Sequence, residues 1–484
     1  MMVPKVFADY SNAAEFLPPV QFQTLFPPEQ SYDEIMSWQS QQANQVTQVS
    51  AIMTERDKIA HLLRRAGFGA TQVEIDAYQK KGLDDTIKEL VNFTPTEPKL
   101  EEALGKLNLN LTTANGIQTW WLTRMILTER PLVEKMTMFW HNLFATSIRR
   151  VQKAEYMLAQ NQFFRANALG DFREILLGIS KDPAMLIWLD SNSNRKGAPN
   201  ENYAREILEL FSMGIGNYTE TDVKEAARAF TGWHVTRDGK FIFNSNLHDF
   251  GSKTFLGVTG NLDGTDIVDI IVKQRANAKY LAKRLFLWFA YDNPEPEVIE
   301  RLADVYQQNN RGIKAVVEAI FRSEEFYSAK AYYTMIRSPV ELVVSGRRLA
   351  NGNVNIGNML ATMRRTGQEL FAPPDVSGWP TGMGWISTSR LLERFNYGGV
   401  LATVSANGND IISQVLAKKL NSPETLVGFL RTAMLHRLLK EERILALIEY
   451  ARSALGTNPN DRTLANVTRS IMAVITATPE FQME

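Results

Sequence analysis

Two glutamates and an asparagine carry the first chemical signal in this sequence. In NENYAREILELFSMG (200–214), Tyr203, Ile207, Leu210 and Phe211 recur at helical spacing and predict the buried stripe of a helix from about Glu201 to Met213. Asn202, Glu206 and Glu209 then share the other face. Paired carboxylates in unlike surroundings suit general acid/base chemistry, and His141 and the His248-Asp249 pair are further titratable candidates. The competing reading is structural: Arg205 pairs with Glu209 one turn away, Glu206 meets Arg228 or another buried cation, and His141 is a hydrogen-bonded core residue. Trp233, Trp379 and Trp385 offer flat rings for stacking a sugar, with Asn202 and Arg228 as polar contacts.

A loop ahead of that helix suggests a cofactor. Asp190, Asn192 and Asn194 occupy positions 1, 3 and 5 of a twelve-residue frame that closes at Glu201, the ligand spacing of a calcium loop between two helices. Arg195 stands where that loop calls for glycine. The alternative is that these residues cap helices and close turns through backbone hydrogen bonds. His234, His248 and Asp249 could ligate a transition metal, although no HExxH pattern is present. No glycine-rich phosphate loop or GxSxG elbow occurs at a strand-to-helix junction, which sets aside nucleotide binding and ordinary serine hydrolases.

The elements that must position these groups are mostly helices. Thr54 and Asp57 form a capping box ahead of Ile59, Leu62, Leu63 and Ala66, and Gly67 and Gly69 end that helix. Arg64 and Arg65 lie in its last turn, where the helix dipole favours cations; an anion site is the other reading. Broad apolar faces predict helices over 118–129, 131–146 and 151–169. Thr219 and Asp222 open another, which Gly232 ends. Between about 240 and 257 the pattern alternates weakly and predicts a small hairpin or irregular insertion. FAPPDVSGWPTGMGW (371–385) is too rich in Pro, Gly and Trp to be helical. A faint echo between 300–328 and 442–482, each a helix pair with an acidic-aromatic ending, suggests two related hairpins. The expectation is a mainly α, multi-helical globular protein with an extended arm over 1–52, a main body over 53–400 and a C-terminal helical subdomain over 401–484.

Composition removes several classes. Lysine plus arginine equals aspartate plus glutamate at 53 each, so no net field draws in nucleic acid or an anionic membrane. There is no cysteine, which excludes disulfides and thiolate catalysis. The N-terminal stretch shows no apolar run of signal-peptide length, and no window is long and apolar enough to span a bilayer.

The series HLLRRAGFGAT (61–71), FWHNLF (139–144), NENYAREILELFSMG (200–214), YTETDVKEAARAFTGW (218–233), HDFGSKTFLG (248–257), RSPVEL (337–342), PPDVSGWP (373–380) and the ending TPEFQ resembles the bacterial DUF1800 family over nearly the whole chain from about residue 55. The resemblance implies a mostly helical fold without an assigned activity. It also implies export and a sulfatase-like companion protein encoded alongside. Two functional expectations stand: a hydrolase acting on an extracellular polymer such as a polysaccharide, or a non-catalytic helical scaffold or binding protein of surface or secreted assemblies.

Overall fold

The computed structural model describes residues 53–93, 96–404, 407–436 and 438–484, so the arm expected over 1–52 lies outside the described residues. Helices hold 63% of the described residues, among which the strands form only two small antiparallel pairs. The protein is mainly α with a small β insertion, as an apolar period of 3.6 requires. Among the described residues, no helix is long and apolar enough to cross a membrane.

By contact the chain forms two compact units. The central unit comprises 87–326 and 369–379; the terminal unit comprises the described residues up to Thr86 together with 327–368 and 380–484. The boundary expected at residue 400 falls within the helix Thr388–Ala402. That helix packs on Asp461–Ala477 of the same unit, so residues on both sides of 400 share one core.

The central unit is built around the helix Pro131–Leu143, whose residues from Leu132 onward are all buried. Pro131 sits at its first position, where the missing N–H is no loss. Trp140, Phe144 and Phe172 stack with ring centroids about 6 Å apart, and Phe211 meets Phe144 edge-on at 5.3 Å. Truncating Trp140 here would cost roughly 3–5 kcal/mol. Buried Glu134 clamps Arg165 at 2.6 and 2.8 Å and accepts the Trp121 indole N–H at 3.0 Å, so a charge in this core is fully paired.

The helix expected from Glu201 to Met213 spans only Asn202–Glu209. The Glu206 carbonyl takes the N–H groups of both Leu210 and Phe211, and Met213 and Gly214 both turn back to the Leu208 carbonyl. Gly214 closes the turn at φ 77°. Tyr203, Ile207 and Phe211 are buried as the spacing predicts, whereas Leu210 is half-buried. The next helix, Glu220–Ala229, starts with the expected Thr219–Asp222 capping box, and Gly232 follows it at φ 82°. Two hairpins then replace the single expected one, pairing Trp233–Val235 with Phe241–Phe243 and Lys253–Phe255 with Val258–Gly260.

In the terminal unit the box Thr54–Asp57 opens the helix Glu55–Arg65. Helices Pro423–Leu435, Glu441–Leu455 and Asp461–Ala477 pack together, and Pro479–Gln482 follows the last of them. The echo seen in the sequence has a counterpart, because Pro296–Gln308 and Ile313–Arg322 also pack as a pair and are followed by the short turn Glu325–Tyr327.

Candidate functional site

The central loop is held by its own amides. Asn192 reads both sides of the Val235 peptide, accepting its N–H at 2.8 Å and donating to its carbonyl at 3.1 Å. Asn194 donates to the Ala227 carbonyl and accepts the Asn200 N–H, each at 3.0 Å, while its own carbonyl takes the N–H of Gly232 and the Nε2–H of His234. Asp190 takes a left-handed conformation at φ 55°, and Glu201 pairs with Arg205 at 3.2 Å. Both amides of the expected calcium frame are thus engaged in joining the loop to the helix Glu220–Ala229 and the first hairpin, as turn and cap chemistry predicts. A narrow pocket under this loop, lined by Ser180, Ser191, Asn194, Tyr203, Phe230 and Trp233 among others, has room for about one water molecule. It is too small for a sugar ring.

The acidic face of Asn202–Glu209 is assembled differently from the structural pairing drawn in sequence. Arg205 reaches Glu220 at 2.8 Å and Glu201, not Glu209; Arg228 reaches Asp249 and Glu225, not Glu206. Arg205 faces the other carboxylates because its partners lie one turn back and on the following helix. Glu209 accepts the Tyr218 hydroxyl at 2.9 Å. Burial, and then the charge of Glu209, hold the Glu206 carboxyl above the usual carboxylate range, with Arg205 opposing. Asn202 is exposed, its N–H taken by the Asn200 side chain.

His248 and Asp249 lie on the insertion. His248 is buried and donates Nδ1–H to the Thr231 carbonyl at 2.8 Å, which fixes its tautomer. Asp249 is held at about 2 by the Arg228 guanidinium, helped by the Gly251 N–H, so it is ionised at every working pH. No hydrogen bond or ion pair links either residue to Glu206. Among the described residues no three His, Asp or Glu side chains come together to hold a metal, which counts against the His234, His248 and Asp249 alternative.

His141 is wholly buried, with neither ring nitrogen hydrogen-bonded, and so departs from the satisfied core residue expected. Trp121, Phe164, Phe371 and Trp379 surround it at centroid distances of 5.3 to 6.4 Å. Burial drives its pKa down to about 3, against the nearby Gln160, and keeps the ring neutral. Gln160 continues into a polar chain the sequence reading missed: Thr146 donates to its carbonyl at 2.5 Å, and its amide donates to Asp182 at 2.6 Å. Asp182 caps Pro183–Trp188 through the Met185 N–H, and burial pushes its carboxyl up to about 7. An Asp-Pro pair before an apolar run was the available signal.

The three tryptophans are each 4% exposed and present no open face. Trp233 is enclosed edge-on by Phe230 and Phe241 with the Lys181 ammonium over its ring. Trp379 is fixed by its N–H to the Asn142 side chain at 2.7 Å, and Trp385 lies in the turn Gly382–Trp385 of the terminal unit. Four of the exposed large apolar side chains lie in the insertion instead: Ile242, Phe243 and Val258 on the two hairpins and Phe250 between them. Phe243 and Phe250 flank His248 edge-on at 5.1 and 4.7 Å.

A family model described as a protein of unknown function, DUF1800, matches residues 61–483. No curated protein and no solved structure matches the chain.

Proposed function

Since the chain belongs to the DUF1800 family, whose description brings no reaction with it, we propose a function from its surface: a non-catalytic helical binding protein that docks a protein partner through its paired hairpins. The observation that carries this reading is the exposure of Phe243 and Phe250, 46 and 53%, on either side of the His248 ring, with Ile242 and Val258 also exposed in the same insertion. Charges of both signs lie in the same insertion and on the helix before it, including Lys240 with Asp238 and Arg228 with Glu225 and Asp249. An aromatic centre with a mixed polar rim is the anatomy of a protein interface. The patch is also preorganised, because the Leu256 and Thr254 N–H groups bond to Asp222 and Glu225 and pin the second hairpin to the helix Glu220–Ala229. The partner fitted to it is the sulfatase-like companion that the family resemblance suggests. The test measures binding of the purified companion to wild type and to the double variant Phe243→Ser, Phe250→Ser. Loss of two central aromatics should weaken binding by at least about tenfold; equal affinity, or no wild-type binding, overturns the reading.

A hydrolase acting on a polysaccharide keeps one observation in its favour, the raised Glu206 carboxyl beside Glu209 on a half-exposed face. A broad hydrolase screen of wild type beside Glu206→Gln decides it. Activity untouched by that substitution removes Glu206 and Glu209 as the acid/base pair.

A further inference from the structure

Arginines across the central unit hold carboxylates: Arg165, Arg173, Arg205, Arg228 and Arg275 are each ion-paired at 2.5 to 2.8 Å. One group of cations departs from this. The segments 148–156 and 236–240 together carry five cationic side chains against two carboxylates, Glu155 and Asp238. Arg149 is held by Glu369 at 2.7 Å and Lys240 by Asp238 at 3.0 Å. Among the described residues, Arg150, Lys153, Arg237 and also Lys181 have no carboxylate within ion-pair distance. Arg150, Lys153 and Arg237 are exposed, and Lys181 is half-buried.

Packing ties these four side chains to one hairpin. The Arg150 guanidinium lies over the Trp188 ring at 5.9 Å, and the helix Pro183–Trp188 packs on both Ile148–Val151 and the strand Trp233–Val235. Lys153 stands at the start of the helix Ala154–Ala166, one turn before Tyr156. Tyr156 supports the tip of the first hairpin so closely that a Cβ on Gly239 would come within 2.3 Å of its ring, and Arg237 belongs to that tip. Lys181 reaches the same hairpin with its ammonium over Trp233 at 5.2 Å and Phe241 at 5.6 Å. This is the hairpin that exposes Ile242 and Phe243.

The chain as a whole is neutral, so this excess of positive charge is local and acts at contact range rather than by drawing ligands from afar. Its chemistry favours carboxylates over other polyanions. Nucleic-acid bases and sugar rings bind by stacking on open aromatic faces. Here Trp188 already carries Arg150, Trp233 and Phe241 already carry Lys181, Tyr156 already carries the Gly239 turn, and none of the four rings is exposed. What the surface offers outward is guanidinium and ammonium N–H, which pairs with carboxylate oxygens. We propose that the partner docked on the hairpins presents an acidic segment, a run of Asp or Glu side chains, to Arg150, Lys153, Lys181 and Arg237. The choice of a protein over another polyanion rests on the reading of the hairpins as a docking surface.

The test uses the full chain at low ionic strength and a fluorescent deca-glutamate peptide, with binding followed by anisotropy. Wild type should bind the peptide saturably, and the triple variant Arg150→Gln, Lys153→Gln, Arg237→Gln should bind it at least about tenfold more weakly. Added salt should weaken the wild-type complex. Phe243→Ser, Phe250→Ser should bind the peptide as wild type does, which separates this proposal from the hairpin reading: peptide binding by a chain that ignores the companion supports the cationic surface and removes only the companion. No binding by wild type, equal binding by the triple variant, or loss of binding in the double phenylalanine variant overturns the proposal. So does tighter binding of single-stranded DNA, a sulfated polysaccharide or anionic lipid vesicles at equal ligand charge. Should the triple variant not fold, Arg237→Glu on the exposed turn decides, and an unchanged peptide affinity there overturns the proposal as well.

Discussion

Asp182→Asn tests the buried polar chain through the pH dependence of stability. The Asp182 carboxyl titrates at about 7 in the folded protein against an ordinary 3.8, because burial outweighs the hydrogen bonds from Met185 and Gln160. Below pH 3.8 the carboxyl is protonated whether the chain is folded or unfolded. Between 3.8 and about 7 only the folded form keeps the proton, so stability falls as pH rises, and above about 7 the loss is complete. A gap of about 3 pH units at roughly 1.4 kcal/mol each corresponds to ~4 kcal/mol. Asparagine retains an oxygen that accepts from Gln160 and Met185 but carries no charge. Its new amide hydrogens, if unpartnered, offset about 1–3 kcal/mol at every pH. Urea unfolding of both proteins from about pH 4 to 8 should therefore show the difference moving in favour of the Asp182→Asn variant by ~4 kcal/mol across the range. His141 contributes with the opposite sign, its neutral form stabilising the fold above pH 6.5 and that contribution being lost as pH falls toward about 3. That contribution is common to both proteins and cancels. A difference that is flat with pH would refute the reasoning.

Gly378→Ala should destabilise the central unit by about 3 kcal/mol, because φ is 91° and a Cβ there would overlap the Asn142 side chain and carbonyl; an unchanged melting temperature contradicts this. Stripping calcium should leave the melting temperature within about 1 °C, since Asn192 and Asn194 are closed by protein partners; a drop of several degrees, restored by millimolar calcium, would reinstate the twelve-residue frame as a site. Arg228→Met leaves Asp249 and Glu225 without their cation and should cost about 1–3 kcal/mol, more at pH 7 than at pH 3, where Asp249, no longer held down by the guanidinium, begins to protonate. Equal losses at both pH values would place the effect in packing instead. Phe243→Ser, Phe250→Ser should shift the melting temperature by less than about 3 °C while weakening partner binding, because both rings are half in solvent.

The helical architecture was legible because its signals are local. The boxes at Thr54–Asp57 and Thr219–Asp222 and the Tyr203, Ile207, Phe211 stripe depend on residues three to eight apart, and all are present. The early end of Asn202–Glu209 was not legible, because the Tyr280 hydroxyl that binds the Leu210 carbonyl comes from a distant helix. Asn192 and Asn194 stand out in the sequence as side-chain oxygens at regular spacing, but spacing could not say whether they would meet an ion or the peptides of Val235 and Asn200. Tryptophans were read as a platform from composition alone, whereas exposure is decided by tertiary packing, and it fell to Phe243 and Phe250. The cations around the first hairpin come from separate segments, Arg150 and Lys153 from one and Arg237 from another, and no short window in the sequence contains them.

The segment 369–379 interrupts the terminal unit to complete the central one, covering His141 and Asn142 with Phe371, Gly378 and Trp379. During ribosomal synthesis, helix 131–143 therefore waits for more than 200 further residues before its polar end is sheathed. The terminal unit waits longer still, for Phe481 and Gln482. The central unit is complete only once residue 379 is made, and the terminal unit only at the end of the chain. Any single cut into two expression fragments divides one unit or the other, and every cut that keeps the central unit whole divides the terminal unit, whose segments lie on both sides of it in sequence.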